Sequence, residues 1–187
     1  MRRFIALSAA ATTLLALAAL PGVGAAHAAS VDGLIAPASA CPGSGDASAP
    51  AVTQKQAMLC MTNFARRHRG LDQLTGTKKL DRAAAFKSGD IIRCDSFSHH
   101  ACGRDFTFWM QRVGYIPTRC WRAGENIAWG TGSYATVHSI FSAWMHSAGH
   151  RKNILGSYAQ IGIGFRVGGL SGYDGAHVWT QQYGLRC

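Results

Sequence analysis

Residues 161–183 read Ile-Gly-Ile-Gly-Phe-Arg-Val-Gly-Gly-Leu-Ser-Gly-Tyr-Asp-Gly-Ala-His-Val-Trp-Thr-Gln-Gln-Tyr. Ile161, Ile163, Phe165 and Val167 occupy alternate positions, the period of a strand whose side chains point to opposite faces in turn. Gly168-Gly169 and Ser171-Gly172 interrupt the run, and His177 to Tyr183 supplies a partner, so the stretch predicts a β-hairpin. Upstream the period is helical. A first helix is expected over about 53–69, with Thr53 as N-cap, Met58, Met61 and Ala65 on its buried stripe and Gly70 as its stop. A second is expected over 78–93, burying Leu80, Ala83, Ala84 and Ile91 and carrying Asp81 near its positive end. A third, 104–113, carries Phe106, Trp109, Met110 and Val113. A fourth, 133–146, starts behind Ser133 and buries Val137, Ile140, Phe141 and Trp144. Ile127–Trp129 offers one more short strand. Helices first and strands later predict an α+β fold with helices packed on a small antiparallel sheet. No internal repeat is present.

The two ends bound the folded part. Arg2 and Arg3, the Ala/Leu-rich run from Phe4 to Leu20 and the small-residue exit Ala26-His27-Ala28 have the three-part layout of a secretory signal, with cleavage expected after Ala28. The apolar run is short for a membrane span and is closed by Pro21-Gly22, so export rather than anchoring is expected, with no transmembrane segment in the mature chain. Residues 29–52, rich in Ala, Ser, Pro and Gly, read as a flexible N-terminal tail. The 159 residues that remain after a cut behind Ala28 suit one domain and leave no room for two, and that domain is read over 53–187.

All six cysteines, Cys41, Cys60, Cys94, Cys102, Cys120 and Cys187, lie beyond the signal, and an even number in an exported chain predicts up to three disulfides. Spacing favours Cys94 with Cys102 around a His-rich turn, and Cys41 with Cys60 second. No CxxC or CxxH spacing supports a zinc–thiolate site. The net charge of +10 is dispersed rather than gathered in a tract, which fits a solvated surface or attraction to anionic wall polymers or lipid headgroups. Nucleic acid is not an expected partner, since no reader module is recognisable.

Three segments carry side chains suited to acid–base or ligand chemistry: Phe97-Ser98-His99-His100, Gly124-Glu125-Asn126-Ile127-Ala128, and Trp144-Met-His-Ser-Ala-Gly-His-Arg-Lys-Asn-Ile-Leu155. Taken singly, each has an ordinary reading: a surface histidine, a carboxylate at a turn, a helix end. Asn126 and Asn153 read as scaffold amides, Trp129, Trp144 and Trp179 as core, and His138 as a surface or hydrogen-bonded residue. Ser147 and His150 have the spacing of a nucleophile and base, but no nucleophile elbow accompanies them.

In this order, together with the first-helix Asn63 and Arg66, the following Gly70-Leu71, the Ile-Gly-Ile-Gly-Phe strand and Trp179-Thr180-Gln181, these segments resemble the CAP superfamily, the cysteine-rich secretory, antigen 5 and pathogenesis-related 1 proteins. The resemblance runs from Thr53 to the C-terminus and is closest to the bacterial SCP-like extracellular branch. It implies an α-β-α sandwich, with a three- or four-stranded antiparallel sheet between helical layers, and a cavity lined by two histidines and two glutamates. The first histidine falls on His99, the first glutamate on Glu125 and the second histidine on His150. The second glutamate would fall at Ser147, and that acid is missing; His146 is a reserve candidate.

Two readings of this triad follow. His99, His150 and Glu125 offer a divalent cation, zinc foremost, three protein ligands and an open water position. Alternatively Glu125 orients a histidine in a metal-free polar cavity. The expected function is accordingly a secreted binding module for a lipid, cell-wall polymer or extracellular protein. The alternative is a metal-dependent hydrolase, peptidase or esterase-like, using His99, Glu125 and His150. A scaffold with a vestigial cavity is a third reading.

Overall fold

The computed structural model describes residues 30–186, so the expected signal and its cleavage point lie outside the described residues. Along the chain come α1 (Ala51–His68), β1 (Thr75–Gly76), α2 (Lys78–Arg93), α3 (Phe108–Arg112), β2 (Trp121–Gly130), α4 (Val137–His146), α5 (Ala148–Ile154), β3 (Gln160–Leu170) and β4 (Tyr173–Arg186). The four strands form one sheet in the order β1-β3-β4-β2, an α+β arrangement. The expected hairpin is its centre: β3 and β4 pair antiparallel from Gln160 opposite Gly184 onward, and β2 lies antiparallel on the far side of β4.

Alternation along β3 sorts the two faces. Ile161, Ile163 and Phe165 join Trp179 and Tyr183 of β4 in a core with Met58 and Met61 of α1 and Phe141 and Trp144 of α4. Each such fully buried side chain contributes roughly 1.5–3 kcal/mol. The opposite face carries Gly162 and Gly164, and α2 lies directly upon them. A Cβ at Gly162 would overlap the backbone of Leu80 and Asp81, and one at Gly164 the backbone of Ala84. These glycines are therefore the seat of a helix, a role distinct from turn making. Asp81 seals the contact by accepting a hydrogen bond from the Ile163 backbone N–H at 2.8 Å.

Several boundaries differ from the sequence reading. α1 starts behind Pro50, with Thr53 inside it. The first turn of the third helix unwinds because the Asp105 carboxylate accepts from both the backbone and the hydroxyl of Thr107, a local bond that competes with helix. α4 begins at Val137, where Thr136 rather than Ser133 accepts the capping bond, from the Ser139 N–H at 3.1 Å. The strand read at Ile127–Trp129 extends over ten residues. The sheet is not wholly antiparallel: β1 runs parallel to β3, with Thr75 opposite Gln160, because the chain leaving α1 passes the sheet edge in the direction of β3 before turning into α2.

The stretch read as a loose tail is also different. Leu34, Ala36 and Cys41 are buried in the α1–α4 core, and Ser44 accepts the His138 backbone N–H through its carbonyl. The few apolar groups of residues 30–50 suffice because they cover an existing core instead of building one. Cys41 is bonded to Cys60 of α1, and Cys94 to Cys102, the two pairings expected. Cys120 is likewise disulfide-bonded, and none of the described cysteines is free. No helix among the described residues is long and apolar enough to cross a membrane.

Candidate functional site

The site begins at the end of α2. Asp90, buried there, accepts hydrogen bonds from Arg104 Nη1 at 2.8 Å and Trp109 Nε1 at 2.7 Å and pairs with Arg93, so the chain leaving the helix and the chain entering α3 are tied to one carboxylate. The Cys94–Cys102 bond closes the intervening loop, which carries Phe97 to His100. One turn before Asp90, Lys87 points inward under that loop. Its side chain is 2% exposed, and Nζ donates to the His99 carbonyl at 2.5 Å.

Glu125 comes from β2, opposite Gln182 of β4. Its side chain is 1% exposed and each of its oxygens has a hydrogen-bond partner. Oε1 meets His99 Nδ1 at 2.8 Å and lies 3.9 Å from Lys87 Nζ, while Oε2 accepts from Gln182 Nε2 at 3.1 Å. The carboxylate thus fixes the His99 ring by one nitrogen and leaves Nε2 as its working atom. Burial pulls the Lys87 pKa down, and the charges of Glu125, Asp90 and Asp105 oppose that shift. A buried ammonium persists only beside such partners.

His150 arrives from the other direction. α5 is held to β2 by Asn153, whose amide donates to the Glu125 carbonyl at 3.1 Å and to Asn126 Oδ1 at 2.9 Å; Asn126 in turn donates to the His150 carbonyl at 3.2 Å. Arg66 closes the far end of α5 by donating to the Ile154 and Gly156 carbonyls at 2.9 and 2.8 Å. The His150 Nδ1 is buried without a partner, leaving Nε2 for the cleft. Its pKa is lowered, first by burial and then by the neighbouring His99, so the neutral ring is favoured.

Phe97, Ser98, His99, His100, Ile127 and His150 line an open cleft of about 400 Å³. The structure therefore gathers His99, Glu125 and His150 at one place, with the two imidazoles facing the cleft and Glu125 behind them. Ser147 is not among the lining residues and makes no capping bond with its side chain. His146 is turned away, bonding Asp32 at 3.1 Å and the Ser142 carbonyl at 2.9 Å. Trp144 and Trp179 are buried as expected, whereas Trp129 is only half-buried, against Tyr173. Lys87 and Gln182 were not foreseen. A signal for Lys87 existed: with Leu80, Ala83, Ala84 and Ile91 it falls on the apolar stripe of α2, where a lysine needs a reason.

Glu125 is engaged by the His99 imidazole and the Gln182 amide with the Lys87 ammonium 3.9 Å away, so the donor atoms left at the cleft are the Nε2 atoms of His99 and His150, and no three His, Cys, Asp or Glu side chains among the described residues converge as a ligand group.

Residues 59–183 match the model of the cysteine-rich secretory protein family, CAP. The chain belongs to that family. The uncharacterised protein YkwD of Bacillus subtilis is 34% identical over 124 residues, 66% of this chain and 44% of that protein. The chain thus spans less than half the length of this relative. A solved extracellular protein containing an SCP domain from Bacillus anthracis superposes with a TM-score of 0.57 at 24% identity, over 74% of this chain and 44% of the other. An outer surface protein of Borrelia burgdorferi does so with 0.62 at 14% identity, over 74% of this chain and 97% of that one. At these identities the structural likeness speaks to the fold.

Proposed function

We propose that this CAP domain is an exported binding module whose cleft takes an anionic group displayed by the cell envelope, a wall polymer or a lipid headgroup. The observation that carries this reading is the division of labour at the site. Glu125 is spent inside, its charge answered by Lys87, so the cleft presents the imidazoles of His99, His100 and His150, a hydroxyl and the exposed ring of Phe97, with no carboxylate among its lining residues. Without Arg2 and Arg3 of the expected signal, 17 Lys and Arg stand against 9 Asp and Glu, and this excess of about +8 adds long-range attraction to an anionic surface. Export is supported by the N-terminal signal pattern and by disulfides in every described cysteine.

The test is a titration of tag-free protein against anionic vesicles, neutral vesicles and wall fragments at low and high salt. Saturable binding to an anionic target is expected, weakened by salt and at least tenfold weaker in His99→Ala/His150→Ala. Binding to none of them, or equal binding by the double variant, removes the proposal. One observation favours the alternative hydrolase: Glu125 orients His99 as a carboxylate orients a general base. Turnover of an envelope ester or peptide that is lost in Glu125→Gln would move the assignment to that reading.

A further inference from the structure

Most of the chain's positive charge lies outside the cleft. Between Phe106 and Tyr173 the sole acidic residue in the sequence is Glu125, which is buried, whereas the same stretch holds Arg112, Arg119, Arg122, Arg151, Lys152 and Arg166. We infer that the loop joining α3 to β2, with the strand ends beside it, is a second binding face that docks the domain on an anionic phospholipid bilayer.

Three observations carry this. The first is that the fold gathers cations around the loop. Lys79 of α2 donates to the Gly114 carbonyl at 2.8 Å, Arg112 ends α3 two positions earlier, Arg119 lies in the loop, and the Arg186 guanidinium stands 5.5 Å from the Tyr115 ring centre. All four are exposed, and none pairs with a side-chain carboxylate among the described residues. The second is Trp121, opposite Arg186 in the sheet, which is 43% exposed; Pro117 lines the same hollow as Arg186. An indole among arginines suits a bilayer interface, with the ring at headgroup depth and the cations on lipid phosphates. A wall polymer would answer the charges but has no apolar layer to receive the indole. The third is that the loop is already fixed. Tyr115 is buried and its hydroxyl donates to Gln160 Oε1 at 2.8 Å; its ring occupies the space that a Cβ at Gly184 would need, and Cys120 is disulfide-bonded. Docking therefore orders little that is not ordered beforehand. Trp121 precedes Glu125 by four residues of β2, about 13 Å of strand. None of these residues lines the cleft, so face and cleft are separate surfaces.

The test places Trp121→Ala and Arg119→Gln/Arg186→Gln in the tag-free parent and in His99→Ala/His150→Ala, where the cleft no longer contributes. Each protein is titrated with vesicles of phosphatidylcholine alone, with vesicles that also contain phosphatidylglycerol, and with soluble anionic wall fragments; urea midpoints check folding. His99→Ala/His150→Ala should keep saturable, salt-sensitive binding to the phosphatidylglycerol vesicles, with a blue shift of tryptophan emission, and should not bind phosphatidylcholine alone. Each cation removed from such a contact weakens it about fivefold, so Arg119→Gln/Arg186→Gln in that background should bind about twentyfold more weakly. Trp121→Ala should bind about fivefold more weakly and lose the blue shift. Vesicle affinity left unchanged by either substitution overturns the inference, and if wall fragments then lose affinity with the arginines, the face belongs to a wall polymer. Loss of all vesicle binding in His99→Ala/His150→Ala also overturns it and leaves the cleft reading standing, whereas parent-like binding by that variant supports the face and counts against the cleft.

Discussion

Gly164→Ala isolates the contact on which the site depends. The added Cβ would fall on the Ala84 carbonyl carbon and oxygen, inside the 3.0 Å that real Cβ atoms do not cross. The atoms struck are helix backbone, so no rotamer change relieves the overlap and α2 must move away from the sheet. Overpacking of this kind costs about 1–3 kcal/mol, and the absence of a soft partner places this case near 3 kcal/mol. Against it stands a gain of about 0.5 kcal/mol from the smaller conformational freedom of alanine in the unfolded chain. The net loss of about 2.5 kcal/mol corresponds to a melting temperature lower by about 5–10 °C for a domain of this size. The control is Gly169→Ala on the same strand, where the nearest atom is Asp174 Oδ1 at 3.9 Å; it should stay within about 0.5 kcal/mol of the parent. Urea unfolding followed by tryptophan fluorescence gives both values. Equal midpoints for the two variants would refute the claim that α2 rests on the glycine stripe, and with it the account of how Lys87 reaches Glu125.

Glu125→Gln leaves the Lys87 ammonium buried beside a neutral amide, and breaking a buried ion pair from one side costs about 3 kcal/mol, measurable in the same urea experiment. His150 and His177 both have pKa values lowered chiefly by burial, so the folded state binds fewer protons than the unfolded one around and below pH ~6.5. Their contribution is therefore present above the unfolded value and lost as pH falls through the folded ones. Stability should drop between pH 7.5 and 5, and His150→Gln should flatten that slope. Removing the Cys94–Cys102 bond by a double change to serine releases a loop spanning eight residues, a loss of about 2.5 kcal/mol on the chain-entropy estimate. Because that loop carries His99, binding to the anionic target should weaken at denaturant concentrations where the core, followed by Trp144 and Trp179 fluorescence, is still folded.

Local pattern was enough for the elements that obey one period. α2 has the bounds read from its apolar stripe, 78–93, and the 161–183 hairpin pairs as its alternation required. The order of the three polar segments was enough to name His99, Glu125 and His150 and the family whose fold joins them. Elements without a period were not legible: Trp121 to Asn126 becomes strand only because β4 supplies a partner for its backbone, and Thr75-Gly76 pairs with β3 across more than eighty positions of chain. The same limit hid Lys87 and Gln182. A lysine's local preference is for water, and only the convergence of α2, β2 and the disulfide-closed loop provides the carboxylate and carbonyl that make its burial tolerable. The sequence by itself thus named three of the side chains that the fold brings together, His99, Glu125 and His150, and not the two that pack behind them. Tertiary structure decided which groups surround Glu125, because contacts between buried side chains depend on distances set by packed backbones, and two glycines on β3 seat the helix that carries Lys87.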